Sequence, residues 1–122
     1  MPKETSISNL TEDLQVTSKE LLEECDNLNA AAREYAVKEN AYRLAKATAM
    51  LRAEGKTVDM KKAEVDLICE KDRLASHIAE GILDSTRERV RSLRAVLSAL
   101  QTIAGSHKAE ADFSRTGPQW GR

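Results

Sequence analysis

The first long helix of this chain is predicted by residues 11–54, TEDLQVTSKELLEECDNLNAAAREYAVKENAYRLAKATAMLRAE. This stretch contains neither Pro nor Gly, the two residues that most weaken the interior of a helix. Apolar residues recur at every seventh position of it: Leu14, Leu21, Leu28, Tyr35, Tyr42 and Ala49. Because such a repeat keeps one face of a helix against a neighbour, the stretch predicts a helix packed in a coiled coil.

The second apolar position of this repeat is expected four residues further on, at Ser18, Cys25 and Ala32. These side chains are small, so the pattern predicts a narrow contact and close approach by another helix. Thr11, followed by two acidic residues, is the expected N-cap of the helix.

A turn is expected near Gly55, because glycine commonly follows the last residue of a helix. A second helical run then extends from about Asp59 to Phe113. Its apolar residues stand largely at three- and four-residue steps: Leu67, Leu74, Ile78, Ile82, Val90, Leu93, Leu97, Leu100 and Ala104. Gly81 and Gly105 lie inside this run, and each marks a candidate kink or end, with Gly105 favoured as the end.

The distribution of charge predicts that the two runs pack antiparallel. Residues 1–30 carry two basic and seven acidic side chains, whereas residues 87–122 carry seven basic and three acidic. A hairpin that turns near residue 57 opposes these two blocks, and it places Glu20, Glu23, Glu24 and Asp26 beside Arg94, Arg91, Arg89 and Arg87. Such exposed pairs fix register and orientation more than stability.

The predicted fold is therefore all-α: a long antiparallel coiled-coil helical hairpin that self-associates. In one alternative the second helix of the hairpin is broken. We expect one domain over residues 11–113, with flexible segments at residues 1–10 and 114–122. Several apolar side chains fall outside the expected contact: Val37, Leu44, Met50, Leu51, Ile68, Leu83, Val96 and Ile103. Such a remainder favours a homo-oligomer, with a dimer preferred.

Composition argues against several classes of function. The formal net charge of -1 provides no general field for nucleic acid or an anionic membrane. The N-terminal residues lack the apolar run of a secretory signal, and no stretch has the length and apolarity of a membrane span, so we expect a cytoplasmic protein with no membrane partner. Cys25 and Cys69 are then expected to be free thiols.

No catalytic, metal or cofactor site is predicted. His77 and His107 are far apart in sequence and lack a second ligand at metal-binding spacing. There is no glycine-rich turn before a Ser or Cys, and Gly55-Lys56-Thr57 lacks the strand and upstream glycine of a phosphate-binding loop. We expect a protein that binds a partner, not an enzyme.

Two basic clusters are candidate contacts for nucleic acid or for a partner protein. Arg87, Arg91 and Arg94 share one helix face, where they could bind phosphates or could be neutralised by the acidic first helix. The second cluster is at the turn and comprises Arg52, Lys56, Lys61 and Lys62; its alternative is a solvated turn. With few aromatic residues, the chain offers no stacking surface for single strands.

Trp120 is the single tryptophan and lies in the expected tail. Its ring could fold back over exposed core, anchor the chain in a partner's pocket, or be unconstrained.

The segments AYRLAKATAMLRAEGKTVDMKKAEVDL (41–67), RVRSLRAVLSALQTI (89–103) and KAEADFSRTGP (108–118) together resemble small helical proteins of tailed bacteriophages and prophages. Such proteins are often encoded near recombination and replication functions. The resemblance implies a phage origin and a place in the cytoplasm of the infected bacterial cell. It brings no functional residues with it.

Three hypotheses of function follow. The first is a helical interaction protein, accessory to DNA recombination or replication through binding a phage or host protein, with DNA contact as an extension. The second is an inhibitor of a host nuclease or defence complex. The third is a virion structural or assembly protein.

Overall fold

The computed structural model describes the backbone of residues 7–116 and the side chains of residues 9–113. Three helices account for nearly all of this range: α1 (Ile7–Arg52), α2 (Val58–Ile68) and α3 (Glu70–Thr116). No strand occurs among the described residues. The all-α fold class is therefore confirmed.

Helix α1 begins earlier than the sequence suggested. Thr11 was expected to cap it, but the helix starts at Ile7 and Thr11 lies inside it. Leu10, one of the most buried of the described residues, explains the difference, because it lies one seven-residue repeat before the buried Thr17. Helical structure upstream of Thr11 is needed to place Leu10 on that face.

The buried face of α1 follows an alternating step of four and three residues. The predicted line from Leu14 to Ala49 is half-buried or buried throughout, as expected. The second line lies three residues after the first and consists of Leu10, Thr17, Glu24, Ala31, Lys38 and Ala45. The prediction of Ser18, Cys25 and Ala32 was wrong: two of them are half-buried at the flank and Ala32 is exposed. Steps of three and of four both stay on one helix face, so the packing partner decides between them.

The buried face of α2 and α3 has the same alternating step but different residues from those expected. It comprises Val65, Cys69, Asp72, Ser76, Ala79, Leu83, Thr86, Val90, Leu93, Leu97, Leu100, Ala104 and His107. The predicted positions from Val90 onward are confirmed. Leu67, Leu74, Ile78 and Ile82 are instead more than half exposed, and Leu83, which was expected outside the contact, is only 4% exposed. The small side chains of Cys69, Ser76 and Ala79 allow the close packing that larger ones would prevent.

The turn is held by three local contacts. Thr57 caps α2, and its Oγ1 accepts a hydrogen bond from the Met60 N–H at 3.1 Å. One carboxylate oxygen of Glu64 accepts from the N–H groups of Glu54 and Gly55, at 3.1 and 3.2 Å. A Cβ added at Gly55 would lie 2.7 Å from the Lys61 backbone nitrogen, so no side chain fits there. The predicted connection is confirmed at this point.

The second helical run is broken, but not at a glycine. Helix α3 passes through Gly81 and Gly105 without interruption and continues to Thr116, so the expected end at Gly105 was wrong. The break is at Cys69, with φ -95° and ψ 4°. Its N–H still donates to the Val65 carbonyl and its own carbonyl accepts from Arg73, both at 2.9 Å. The irregularity is thus one residue long and leaves the helical hydrogen bonds around it in place.

The contacts of the chain divide into two compact units. The tip unit, residues 26–88, contains the turn; within it α1 runs antiparallel to α2 and α3, because Ala49 packs near Val65 and Cys69 while Glu39 meets Ser76. The end unit, described over residues 7–25 and 89–116, pairs the first part of α1 with the last part of α3, and Glu24 meets Arg89 there. A single domain over residues 11–113 stays a prediction.

Candidate interaction surfaces

The structure shows ion pairs for Arg87 of the arginine cluster and for its neighbour Arg89. In the end unit, Arg89 Nε donates to a Glu24 carboxylate oxygen at 3.1 Å, which confirms the predicted pairing of these two residues. In the tip unit, Arg87 contacts Asp84 one turn earlier on its own helix at 3.5 Å, in place of the predicted Asp26. Arg91 is not a free cation, and Arg94 is exposed. The choice between phosphate binding and neutralisation for this cluster stays a prediction.

Two of the four residues of the basic cluster at the turn line a groove, and the other two do not. Lys61 and Lys62 line a groove of about 420 Å³, together with Lys46, Met50, Val58, Val65 and Asp66. We call these seven residues the tip groove. Arg52 and Lys56 are exposed nearby and are not among its lining residues. The sequence therefore identified two of its cations, but it did not identify Lys46 or the apolar floor, which become neighbours only when α2 folds back on α1.

A polar cluster crosses the packed face of the tip unit. The buried Ser76 donates its hydroxyl to a Glu39 carboxylate oxygen at 2.7 Å, and Arg43 Nε donates to the other oxygen at 3.1 Å. The hydrogen bond from Ser76, followed by that from Arg43, lowers the pKa of Glu39 below its ordinary value. Partial burial, with the charge of Glu39 as a second cause, raises the pKa of the nearby Tyr35 phenol. Sequence reasoning missed this cluster, although Ser76 stands seven residues from both Cys69 and Leu83 on the buried line.

The tip unit also carries large apolar side chains on a second, uncovered face. On α1 these are Val37, Leu44 and Leu51, spaced by seven; on α2 and α3 they are Leu67, Ile68, Leu74, Ile78 and Ile82. Leu51 is 89% exposed and Leu67 75%. We call these eight residues the outer face. Val37, Leu44, Leu51 and Ile68 were predicted to lie outside the main contact, and this is confirmed.

The two stripes of the outer face lie on the same side of the tip unit. At about 100° per residue, the stripe on α1 is rotated about 120° from the middle of its buried face. The stripe on α2 and α3 is rotated on average by about the same angle in the same sense, ranging from about 70° at Ile68 and Ile82 to about 170° at Leu67 and Leu74. Because the helices are antiparallel and their buried lines face each other, equal rotations bring both stripes to one side. The result is an apolar surface two helices wide.

The two cysteines and the exposed His77 are the remaining candidates within the described residues. Cys25 is half-buried and Cys69 buried, both as free thiols. His77 is exposed, with Nδ1 3.9 Å from a Glu80 oxygen, and no metal-binding group of His, Cys, Asp and Glu occurs among the residues that were searched, the described ones. Trp120 lies outside the described residues.

No helix in the described part of the chain is both long enough and apolar enough to cross a membrane. Comparison of the chain with models of protein families, with curated proteins and with solved structures finds no match.

Proposed function

We propose that this protein is a helical interaction module that dimerises through the outer face of its tip unit. The observation that carries the proposal is the inversion of side-chain size: Cys69, Ser76 and Ala79 are buried while Leu67, Leu74 and Ile78 face outward. Burying a Leu or Ile side chain contributes about 1.5–3 kcal/mol, so uncovered rows of them favour association.

The extent of the outer face suits a protein partner. Its stripes run over about 15 residues of each helical run, or about 22 Å, and two helices side by side are about 20 Å wide. The resulting footprint of about 440 Å² matches the largest apolar patches of single chains, which often mark interaction sites.

The distribution of charge beside the outer face supports a second copy of this chain as the partner that covers it. Residues 26–52 of α1 carry five basic and three acidic side chains, while residues 70–88 of α3 carry three basic and five acidic. A two-fold axis parallel to the helices sets α1 of one copy on α3 of the other, so that unlike charges flank the apolar contact. This arrangement is an antiparallel four-helix coiled coil.

The proposal is tested by light scattering on the purified protein and on two matched variants of α1. Leu44→Glu places a carboxylate in the outer face and should give a monomer that keeps its helicity. Ala36→Glu adds the same charge at an exposed position of α1 that is rotated about 80° from Leu44 and is not part of the outer face, so it should leave the dimer intact. A monomeric parent protein, or equal behaviour of the two variants, would refute the proposal.

A role as an accessory to phage recombination or replication is a further hypothesis, supported by the sequence resemblance alone. The ion pairs of Arg87 with Asp84 and of Arg89 with Glu24 favour action through a protein partner over direct DNA contact. An electrophoretic shift of a short oligonucleotide at low salt, lost on Arg94→Glu, would instead support the DNA branch.

A further inference from the structure

In the tip unit, the buried faces of α1 and of α2 and α3 form a continuous contact, which we call the seam. Near the turn the seam is not covered by a further helix. The two buried lines of α2 and α3 pass through Val65 and Cys69 and continue, seven residues earlier, to Val58 and Lys62. Val58 is 82% exposed and Lys62 is exposed as well. Two positions that would be covered by continued packing are therefore open to solvent.

The open end of the seam is the tip groove. Met50, Val58 and Val65 provide its apolar side chains, and three lysines against one aspartate give it a net positive charge. Its volume of about 420 Å³ lies in the range of grooves that hold ligands or inserted side chains. An apolar floor with a cationic border selects an occupant that is both apolar and acidic.

The walls of the groove are fixed before any partner arrives. Glu64 holds the backbone of the turn through two hydrogen bonds, and the Thr57 cap holds the start of α2. Gly55 packs against the backbone of Met60 and Lys61, which leaves no room for the turn to tighten further. A preformed site binds without the entropic cost of ordering its walls.

We propose that the tip groove binds an acidic amphipathic helix of a partner protein. Because the groove continues a helix–helix seam, a helix with apolar residues at three- and four-residue steps extends the same packing, and its acidic residues meet Lys46, Lys61 and Lys62. On α1, Lys46 is rotated about 160° from Leu44, so the groove and the outer face use different sides of that helix.

The experiment uses the full chain and a fluorescein-labelled peptide of about 15 residues, designed as a helix with Leu at positions i, i+3, i+4 and i+7 and Glu on the other faces. Its matched control replaces every Glu with Lys. Fluorescence anisotropy should show binding of the acidic peptide and at least about tenfold weaker binding of the basic one. No binding of the acidic peptide at low salt, or equal binding of both, would overturn the proposal.

Two double variants separate the groove from general attraction to a basic turn. Lys61→Glu with Lys62→Glu reverses two lining charges and should weaken binding of the acidic peptide by about tenfold or more. Arg52→Glu with Lys56→Glu makes the same change in net charge beside the groove and should weaken it severalfold less. Equal losses would mean that the groove is not the site.

Light scattering on the Lys61→Glu, Lys62→Glu variant tests whether the groove instead holds a second copy of the chain. The oligomeric state should be unchanged, since the outer face is intact. A change of oligomeric state would show that the groove holds a second copy of the chain and would overturn the assignment to a partner helix.

Discussion

Leu83 and Ile82 are adjacent in sequence, yet the packing of α3 predicts opposite consequences for their truncation. Leu83 is 4% exposed, whereas Ile82 is 52% exposed and belongs to the outer face. Leu83→Ala removes a buried side chain and leaves a cavity, a change that costs about 2–5 kcal/mol in closely packed cores. The small neighbours Ala79 and Thr86 have little freedom to fill the space, although a two-helix unit can close slightly, so we expect about 2–3 kcal/mol.

Ile82→Ala is the matched control, because it removes about the same number of carbon atoms one residue away. About half of its side chain is already in contact with water, so the loss should stay near or below about 1 kcal/mol. Urea unfolding followed by far-ultraviolet circular dichroism, at protein concentrations low enough for monomers, measures both values. For a chain of this size the Leu83 variant should melt about 8–12 °C lower than the parent protein.

The opposite ranking would refute the assignment of the buried face. If Ile82→Ala were the more destabilising of the two in dilute solution, the large aliphatic residues would form the seam. At higher concentration a different result is expected from dimerisation: Ile82→Ala should then weaken assembly, and its effect should grow with protein concentration.

Three further predictions concern the turn, the polar cluster and the thiols. Gly55→Ala should destabilise the turn by about 1–3 kcal/mol, measured by urea unfolding, since the new Cβ would meet backbone at 2.7 Å; unchanged stability would contradict the close packing there. Because the pKa of Glu39 is lowered below its ordinary 4.5, its contribution to stability is present above that pH and is lost as pH falls through the folded-state value. Ser76→Ala should move the Glu39 pKa upward in an NMR titration, and an unmoved titration would rule out the hydrogen bond as its main cause. Finally, Cys25 should react with a thiol reagent faster than the buried Cys69 in the folded protein, and equal rates would indicate that the seam opens near Cys69.

The features that the sequence predicted correctly depend on local signals. The seven-residue line through Leu28 and Tyr42 fixes one edge of the buried face of α1, and Gly55 marks the turn. The pairing of Glu24 with Arg89 followed from the position of that turn and the alternation of charge. Each of these depends on spacing within one helix or on the point of chain reversal.

The features that were missed depend on choices between two faces of one helix. Helix α3 has a large aliphatic face through Ile78 and a face of small residues through Ser76, and hydrophobicity alone selects the former. The close approach of α1 selects the latter, because side chains such as Ser76 and Ala79 let the helices pack tightly. The break at Cys69 is not indicated by a Gly or Pro at that position in the sequence. The apolar floor of the tip groove likewise depends on where α2 folds back.

The local closure of the turn has a consequence for the order in which the protein folds. The hydrogen bonds of Glu64 join residues nine and ten positions apart, that between Ser76 and Glu39 spans 37, and that between Arg89 and Glu24 spans 65. Because the entropic cost of closing a chain segment rises with its length, contacts near the turn are the easiest to form first. Once these contacts have formed, each contact further from the turn closes only a short additional loop. The helices can therefore pair progressively from the turn towards their far ends. A weak turn should therefore slow the appearance of the distant contacts as well as the near ones.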